Sequence, residues 1–282
     1  MPIGFHASIA GGISKSIARA TDIGTDSVQI FCRSPRSWKV TELPEAETLA
    51  FKKARKEAKL WPVVVHTSYL INLSTPDIVL FKKSLGLFIT ELKTSGDLGI
   101  DYLVTHPGSF HDKDPEFAIK QVTEAIKIAR ESAPNAKKTE ILIENTAGGG
   151  SQIGATLEAI GKILKNTKAE KTGLCYDTCH GFAAGYATDT KENTEALVKK
   201  IKKEIGLKRL KLIHLNDSKG EFGSKRDRHE AVGEGFIGSK ALGHFINHPS
   251  IKDVPLILET PRTSEADDIK NLKKARALRG IK

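Results

Sequence analysis

Eight short apolar runs punctuate the 282-residue chain, each rich in valine, isoleucine and leucine and each followed by a polar or glycine-containing turn. They are IGFHAS from Ile3, SVQIFCR from Ser27, PVVVHTS from Pro62, YLVTHPG from Tyr102, EILIENT from Glu140, GLCYDTC from Gly173, LKLIHLND from Leu210 and PLILETP from Pro255. Runs of this kind fit strands buried on both faces. Between them apolar positions recur at helical spacing over 44–59, 77–98, 115–132, 155–166, 191–205 and 265–279, with shorter stretches at 12–21 and 238–247. Strand and helix alternate throughout, which predicts a parallel sheet covered by helices. Eight such units predict a closed (β/α)8 TIM barrel rather than an open doubly wound sheet. No Pro/Gly/Ser-rich linker divides the chain, so residues 1–282 are expected to form a single domain. The longest break, 216–236, follows the seventh run, and a loop of that length inside a compact domain is usually functional.

The register of these runs puts a polar side chain at the carboxyl end of six consecutive strands: His66, His106, Glu144, Asp177, His214 and Glu259. In a barrel those ends open on one mouth, where the six should meet. A lone histidine at a strand end is more often a hydrogen-bonded core residue than a ligand, but six such ends in succession outweigh that reading. Histidines and carboxylates cannot crowd a dry mouth unless cations balance them. Imidazole with carboxylate suits zinc or manganese, whereas magnesium and calcium sites are built from oxygen donors. His180, expected in the loop just past the sixth strand, three residues beyond Asp177, and Asp227 and His229, two apart in RDRH, extend the set. Five histidines and four carboxylates exceed what one or two four-coordinate ions need, and they fit about three ions with a bridging carboxylate. Three divalent ions would outweigh four carboxylates, leaving a pocket that attracts phosphate.

The other histidines are read differently. His111, His244 and His248 lack carboxylate neighbours at a strand end and are expected on the surface or in packing, while His6, ending the first run, stays open between a structural and a substrate-side role. The three cysteines, Cys32, Cys175 and Cys179, cannot all pair and are expected to be reduced, with Cys175 packed inside the barrel and Cys179 a structural thiol. AGGGS from Ala147 lacks the lysine of a P-loop and reads as a flexible turn.

A net charge of +10 and a pI near 9.4 favour a polyanionic partner, though many lysine-rich chains are simply well solvated. No apolar run is long enough to span a bilayer, and MPIGFHASIAGG has no signal-peptide pattern, so a cytoplasmic protein without a membrane partner is expected.

HTSYLINL from His66, HPGS from His106, ENTAGGGSQIG from Glu144, CYDTCHGFAAGY from Cys175, HLNDSKGEFGSKRDRHEAVGEG from His214 and PLILET from Pro255 resemble, in this order and nearly end to end, the motifs of the endonuclease IV family of apurinic/apyrimidinic endonucleases. The resemblance implies a DNA-repair enzyme on a (β/α)8 barrel with three zinc ions per chain. His66 and His106 would hold one zinc, and Glu144 would bridge it to a second completed by Asp177, His214 and Glu259. His180, Asp227 and His229 would hold a third. The implied reaction hydrolyses the phosphodiester 5′ to an abasic site, leaving a 3′-hydroxyl and a 5′-deoxyribose phosphate, and also trims blocked 3′ ends. Glu144 would orient the attacking water, and Glu259 would fix one zinc or assist proton movement.

The implied partner is double-stranded DNA carrying abasic sites or blocked 3′ ends, and a monomer would leave the mouth free for it. Arg36 in RSPRSW matches the family's inserting arginine, and Tyr69 and Leu70 match its wedge residues. Without the family, Arg36 would be a surface charge and the other two core residues. Two rival readings remain. A metal-dependent sugar isomerase on the same barrel should use fewer histidines and a catalytic lysine. A non-catalytic damage-binding protein with structural zinc would usually close its sites with cysteine.

Overall fold

The computed structural model describes residues 1–281. Its strands are β1 (Ile3–His6), β2 (Ser27–Phe31), β3 (Val63–His66), β4 (Tyr102–Thr105), β5 (Glu140–Glu144), β6 (Thr172–Asp177), β7 (Leu210–His214), β8 (Asp217–Ser218), β9 (His229–Glu230) and β10 (Leu256–Leu258). All but β8 and β9 close into a parallel barrel in the order β1-β10-β7-β6-β5-β4-β3-β2. The eight apolar runs and the (β/α)8 TIM barrel expected from them are therefore present.

Around the barrel lie α1 (Lys15–Asp22), α2 (Glu45–Ala58), α3 (Ile78–Leu98), α4 (Pro115–Ser132), α5 (Leu157–Asn166), α6 (Thr178–Ala183), α7 (Lys191–Glu204), α8 (Gly238–Ile246) and α9 (Glu265–Leu278). Local chemistry sets where several begin. Asp77 accepts hydrogen bonds from the amides of Val79 and Leu80 at the start of α3, Asp114 caps α4 with Pro115 in its first turn, and Ser264 with Asp267 forms a capping box on α9. No helix among the described residues is long and apolar enough to cross a membrane.

The apolar core has two layers. The larger lies between strands and helices and takes in Ile30, Phe51, Phe88, Ile143, Ile213 and Phe245. The smaller is a ring inside the barrel made of Val64, Val104, Leu142, Cys175, Leu212 and Ile257. Cys175 thus packs in the barrel interior as expected.

Two segments differ from the sequence reading. His180, expected in a loop just past β6, lies in the six-residue helix α6. The break 216–236 contains a two-stranded antiparallel ribbon, in which Asp217 pairs with Glu230 and Ser218 with His229.

Candidate metal centre

Side chains two apart on a strand point the same way, and this period builds the mouth. Each residue of the inner ring is followed two positions later by a polar one: Val64 by His66, Val104 by His106, Leu142 by Glu144, Cys175 by Asp177, Leu212 by His214 and Ile257 by Glu259. A polar layer therefore sits on an apolar plug. Glu144, Asp177 and His214 are fully buried there.

Three groups of potential ligand atoms, each within 4.8 Å of one another, arise from the nine candidates. They are His66, His106 and Glu144; Glu144, Asp177, His214 and Glu259; and His180, Asp227 and His229. These are the three sets that the resemblance implies. Glu144 joins the first two: its Oε2 lies 3.1 Å from His66 Nε2 and 3.5 Å from His106 Nε2, and its Oε1 lies 3.1 Å from His214 Nδ1.

Chain elements hold each ligand in place. Asp177 ends β6 and caps α6, accepting the His180 amide at 2.7 Å, so one residue aims the next. Thr178 Oγ1 donates to the carbonyl of Asn216 at 2.6 Å and fastens α6 to the end of β7. The ribbon of β8 and β9 presents His229 beside Asp227, with His229 Nε2 3.3 Å from Asp227 Oδ1. Gly108, at φ +106, lets HPGS pass against Asn72, where a side chain would collide with the Asn72 amide.

Three histidines have one ring nitrogen tied outward to a backbone carbonyl. His66 Nδ1 donates to Thr67 at 2.8 Å, His180 Nδ1 to Asn145 at 3.0 Å and His229 Nδ1 to Glu259 at 3.0 Å. Such outer bonds fix the tautomer and turn the other nitrogen inward as an acceptor. The inward nitrogens then meet only acceptors. His180 Nε2 and His229 Nε2 lie 3.4 Å apart, with Asp227 Oδ1 3.1 Å from the first. Unprotonated, these atoms would face one another lone pair to lone pair, so a cation has to lie between them, a proton in the absence of metal and a metal ion once one binds, and the donor set fits bound metal.

Electrostatics agree. Burial opposes charge throughout the mouth, yet His106, His214 and His180 hold Glu144 well below the usual carboxylate range. Burial likewise opposes ionisation of Glu259, but His214 holds it far down. Asp227 falls to about 2 against its own burial, through its bond and charge contact with His180. Conversely, Asp177, Asp227 and Glu144 overcome burial to hold His180 well above its ordinary value.

Cys175 and Cys179 come within ligand distance of Glu144 with His214 and of Asp177 with His229, respectively. Burial pushes both thiols up to about 12, so a metal ion would have to displace a proton from either of them. Among the other histidines, His111 is exposed at φ +53 and His248 pairs with Glu195 on the surface.

Two adjoining cavities of about 310 and 390 Å3 open on the mouth and share His66, Tyr69, His106, His180 and Asp227. Tyr69 is 62% exposed, its ring edge-on to Phe31 at 5.2 Å, so it is not a core residue. Leu70 is half-buried and Arg36 exposed. Their loops are joined where Ser68 Oγ donates to the Pro35 carbonyl at 2.7 Å.

Gln29, His6, Asn145 and Asn216 also belong to the site, and sequence reasoning either missed them or left them out. Asn216 Nδ2 donates to Asp177 Oδ2 at 2.6 Å while its Oδ1 accepts the Glu259 amide at 2.8 Å, and Asn145 Oδ1 accepts the Asp177 amide at 2.7 Å. The available signal was a polar residue within or directly after an apolar run.

A family model described as "Xylose isomerase-like TIM barrel" matches residues 17–279. The chain is 43% identical over 268 residues to "Probable endonuclease 4" of Halothermothrix orenii, covering 95% of this chain and 96% of that one. It is 41% identical over 279 residues to "Probable endonuclease 4" of Methanoculleus marisnigri, covering 99% of each. Among solved structures, endonuclease IV from Thermus thermophilus superposes with a TM-score of 0.88 at 38% identity, covering 99% of this chain and 98% of that one. A D-tagatose 3-epimerase-like protein shares the fold at a TM-score of 0.75 and 17% identity, covering 99% of each. The chain belongs to the endonuclease IV family.

Proposed function

We propose that this chain is a DNA-repair endonuclease that hydrolyses the phosphodiester 5′ to an abasic site in duplex DNA, using three zinc ions held at the barrel mouth. The reading rests most directly on the inward-facing acceptors of the nine candidate ligands, supported by full-length similarity to endonuclease 4 proteins. His66 and His106 would hold one ion with Glu144, while Asp177, His214 and Glu259 would hold a second, again with Glu144. His180, Asp227 and His229 would hold the third. Bound there, the ions would supply Lewis acidity, an activated water near neutral pH and charge stabilisation on the phosphate.

The chain's own residues do the rest. Glu144, lying between the first two sets, orients the attacking water toward phosphorus, and Glu259 takes part in moving its proton. Arg36, Tyr69 and Leu70 enter the space left by the missing base. Extrusion of an abasic sugar is cheap, because no base is stacked or paired there, and an aromatic wedge holds the opened step. The same mouth trims blocked 3′ ends, and the protein acts as a monomer.

A sugar isomerase would place a lysine near its metals, and among the described residues no lysine lines either cavity at the mouth. The test is incubation of a duplex bearing one synthetic abasic site with zinc-loaded and metal-stripped protein. Incision by the loaded form alone, 5′ to the lesion, is expected. Intact duplex with protein carrying its full complement of zinc would refute the reading.

A further inference from the structure

Gln29 is a buried polar residue in a place that is otherwise apolar. In the barrel sheet it is in register with Val64, one of the residues of the inner ring, and its exposure is nil. An amide buried there without partners would be strongly destabilising. All its polar contacts go to the mouth. Its Oε1 lies 2.8 Å from His214 Nε2, and its Nε2 reaches both Glu259 Oε1 and, at 3.0 Å, His6 Nδ1.

These contacts admit a single assignment of hydrogens. An ionised carboxylate only accepts, so the amide nitrogen must face Glu259 and the amide oxygen must face His214. His214 Nε2 therefore carries a hydrogen and donates it. In the neutral ring, Nδ1 then presents its lone pair 3.1 Å from Glu144 Oε1 and 3.1 Å from Glu259 Oε2. The second amide hydrogen goes to His6 Nδ1, which leaves His6 Nε2 protonated on a ring that rests on Phe31 at 4.3 Å and lines the larger cavity.

We propose that Gln29 is a positioning residue for the ion that Asp177, His214 and Glu259 would hold with Glu144: one amide sets the His214 tautomer, so that Nδ1 would be free to ligate, and holds the Glu259 carboxylate beside it. The inference rests on the reading of the mouth as a metal centre. His214 and Glu259 also meet each other at 3.1 Å, from Nδ1 to Oε2, but His214 Nε2 and Glu259 Oε1 are joined by Gln29, from a third strand. Outer partners of metal ligands typically govern affinity by about 10–100-fold, and a partner shared by two ligands of one ion should act on that ion alone.

The test compares wild-type protein with Gln29→Met, which keeps the volume and removes both polar ends. Each is loaded with zinc, its ions are counted, and they are then withdrawn with a competing chelator. Wild type should release its ions in steps, with one step weakened by about 10–100-fold in the variant and the others unmoved. At saturating abasic duplex, kcat should fall with that step while KM stays within about twofold. Unchanged affinity at every step would overturn the proposal. A general structural defect would instead weaken all steps together, and that result overturns it too.

Should Gln29→Met fail to fold, histidine-selective 15N NMR of zinc-loaded wild type decides. His214 protonated on Nε2 and metal-bound through Nδ1 supports the proposal, and the opposite tautomer overturns it. Wild type that binds no zinc through His214 in either experiment would instead sink the metal reading beneath it.

Discussion

Glu144 is the carboxylate whose two oxygens serve different neighbours, Oε2 toward His66 and His106 and Oε1 toward His180 and His214. Its replacement by glutamine puts an amide nitrogen where one of these sets needs an acceptor. Glu144→Gln should lower incision of abasic duplex by on the order of 100-fold or more and weaken two of the three ions. Normal metal content with near-normal cleavage would remove it from both roles. Tyr69→Ala should do the reverse: lose about 1–3 kcal/mol of abasic-duplex binding, the range measured for stacking side chains, with metal content intact. An unchanged dissociation constant in a gel-shift titration would end the wedge assignment. The nine ligand candidates were legible because each is a charged or imidazole residue at the end of an apolar run. Gln29, Asn145 and Asn216 were not. Their roles depend on partners from distant strands, such as Asp177 and Glu259 meeting on Asn216, and spacing along one chain carries no trace of such pairings.

At the scale of elements, the barrel was readable because buried parallel strands are continuous apolar runs, and the site was readable because the pleat repeats every two residues. The helix α6 was hidden for the opposite reason. Six residues give too few turns for a periodic pattern, and Asp177 looked like a ligand rather than a cap. The helix α3 supports the mouth from outside. Its Glu91 accepts the Ser68 amide at 3.1 Å, and Arg33 Nε lies 3.7 Å away, so one carboxyl sits beneath the loops carrying Arg36, Tyr69 and Leu70. Burial raises this carboxyl to about 7 from an ordinary 4.5. Because the folded value is the higher one, the folded state binds the proton more tightly. The stability this contributes is full below about 4.5 and is lost as pH rises through about 7. The unfolding free energy of wild type minus that of Glu91→Gln should therefore decrease across this window, by on the order of 3 kcal/mol. Denaturant titrations at several pH values read the difference directly, and a flat difference would contradict it. Asp77→Ala is the matching control on the same helix. It removes a cap exposed to solvent and should lower stability by about 1 kcal/mol while leaving incision unchanged.

For the whole molecule, the core and the metal centre are separable. The apolar layer between strands and helices and the ring inside the barrel contain none of the nine candidate ligands, so metal-stripped protein should keep its far-ultraviolet circular dichroism while losing cleavage. What changes on stripping is the charge balance of the mouth. Without ions, four carboxylates are offset by the histidines: Asp177, Asp227 and Glu144 hold His180 well above its ordinary value, and Cys175, Glu259 and Glu144 hold His214 there, though burial opposes both. These rings therefore hold their protons more tightly in the stripped protein than a free imidazole does. A ring nitrogen must be free of its proton to ligate, so ion binding has to displace them. Two consequences share one sign: zinc uptake releases protons, and zinc affinity rises with pH. Calorimetric titration of zinc into stripped protein at about pH 7, run in two buffers of different ionisation enthalpy, should give heats that differ in proportion to the protons released. Identical heats in both buffers would mean that the histidines enter the reaction already neutral, and the account of how the empty mouth balances its charge would fail.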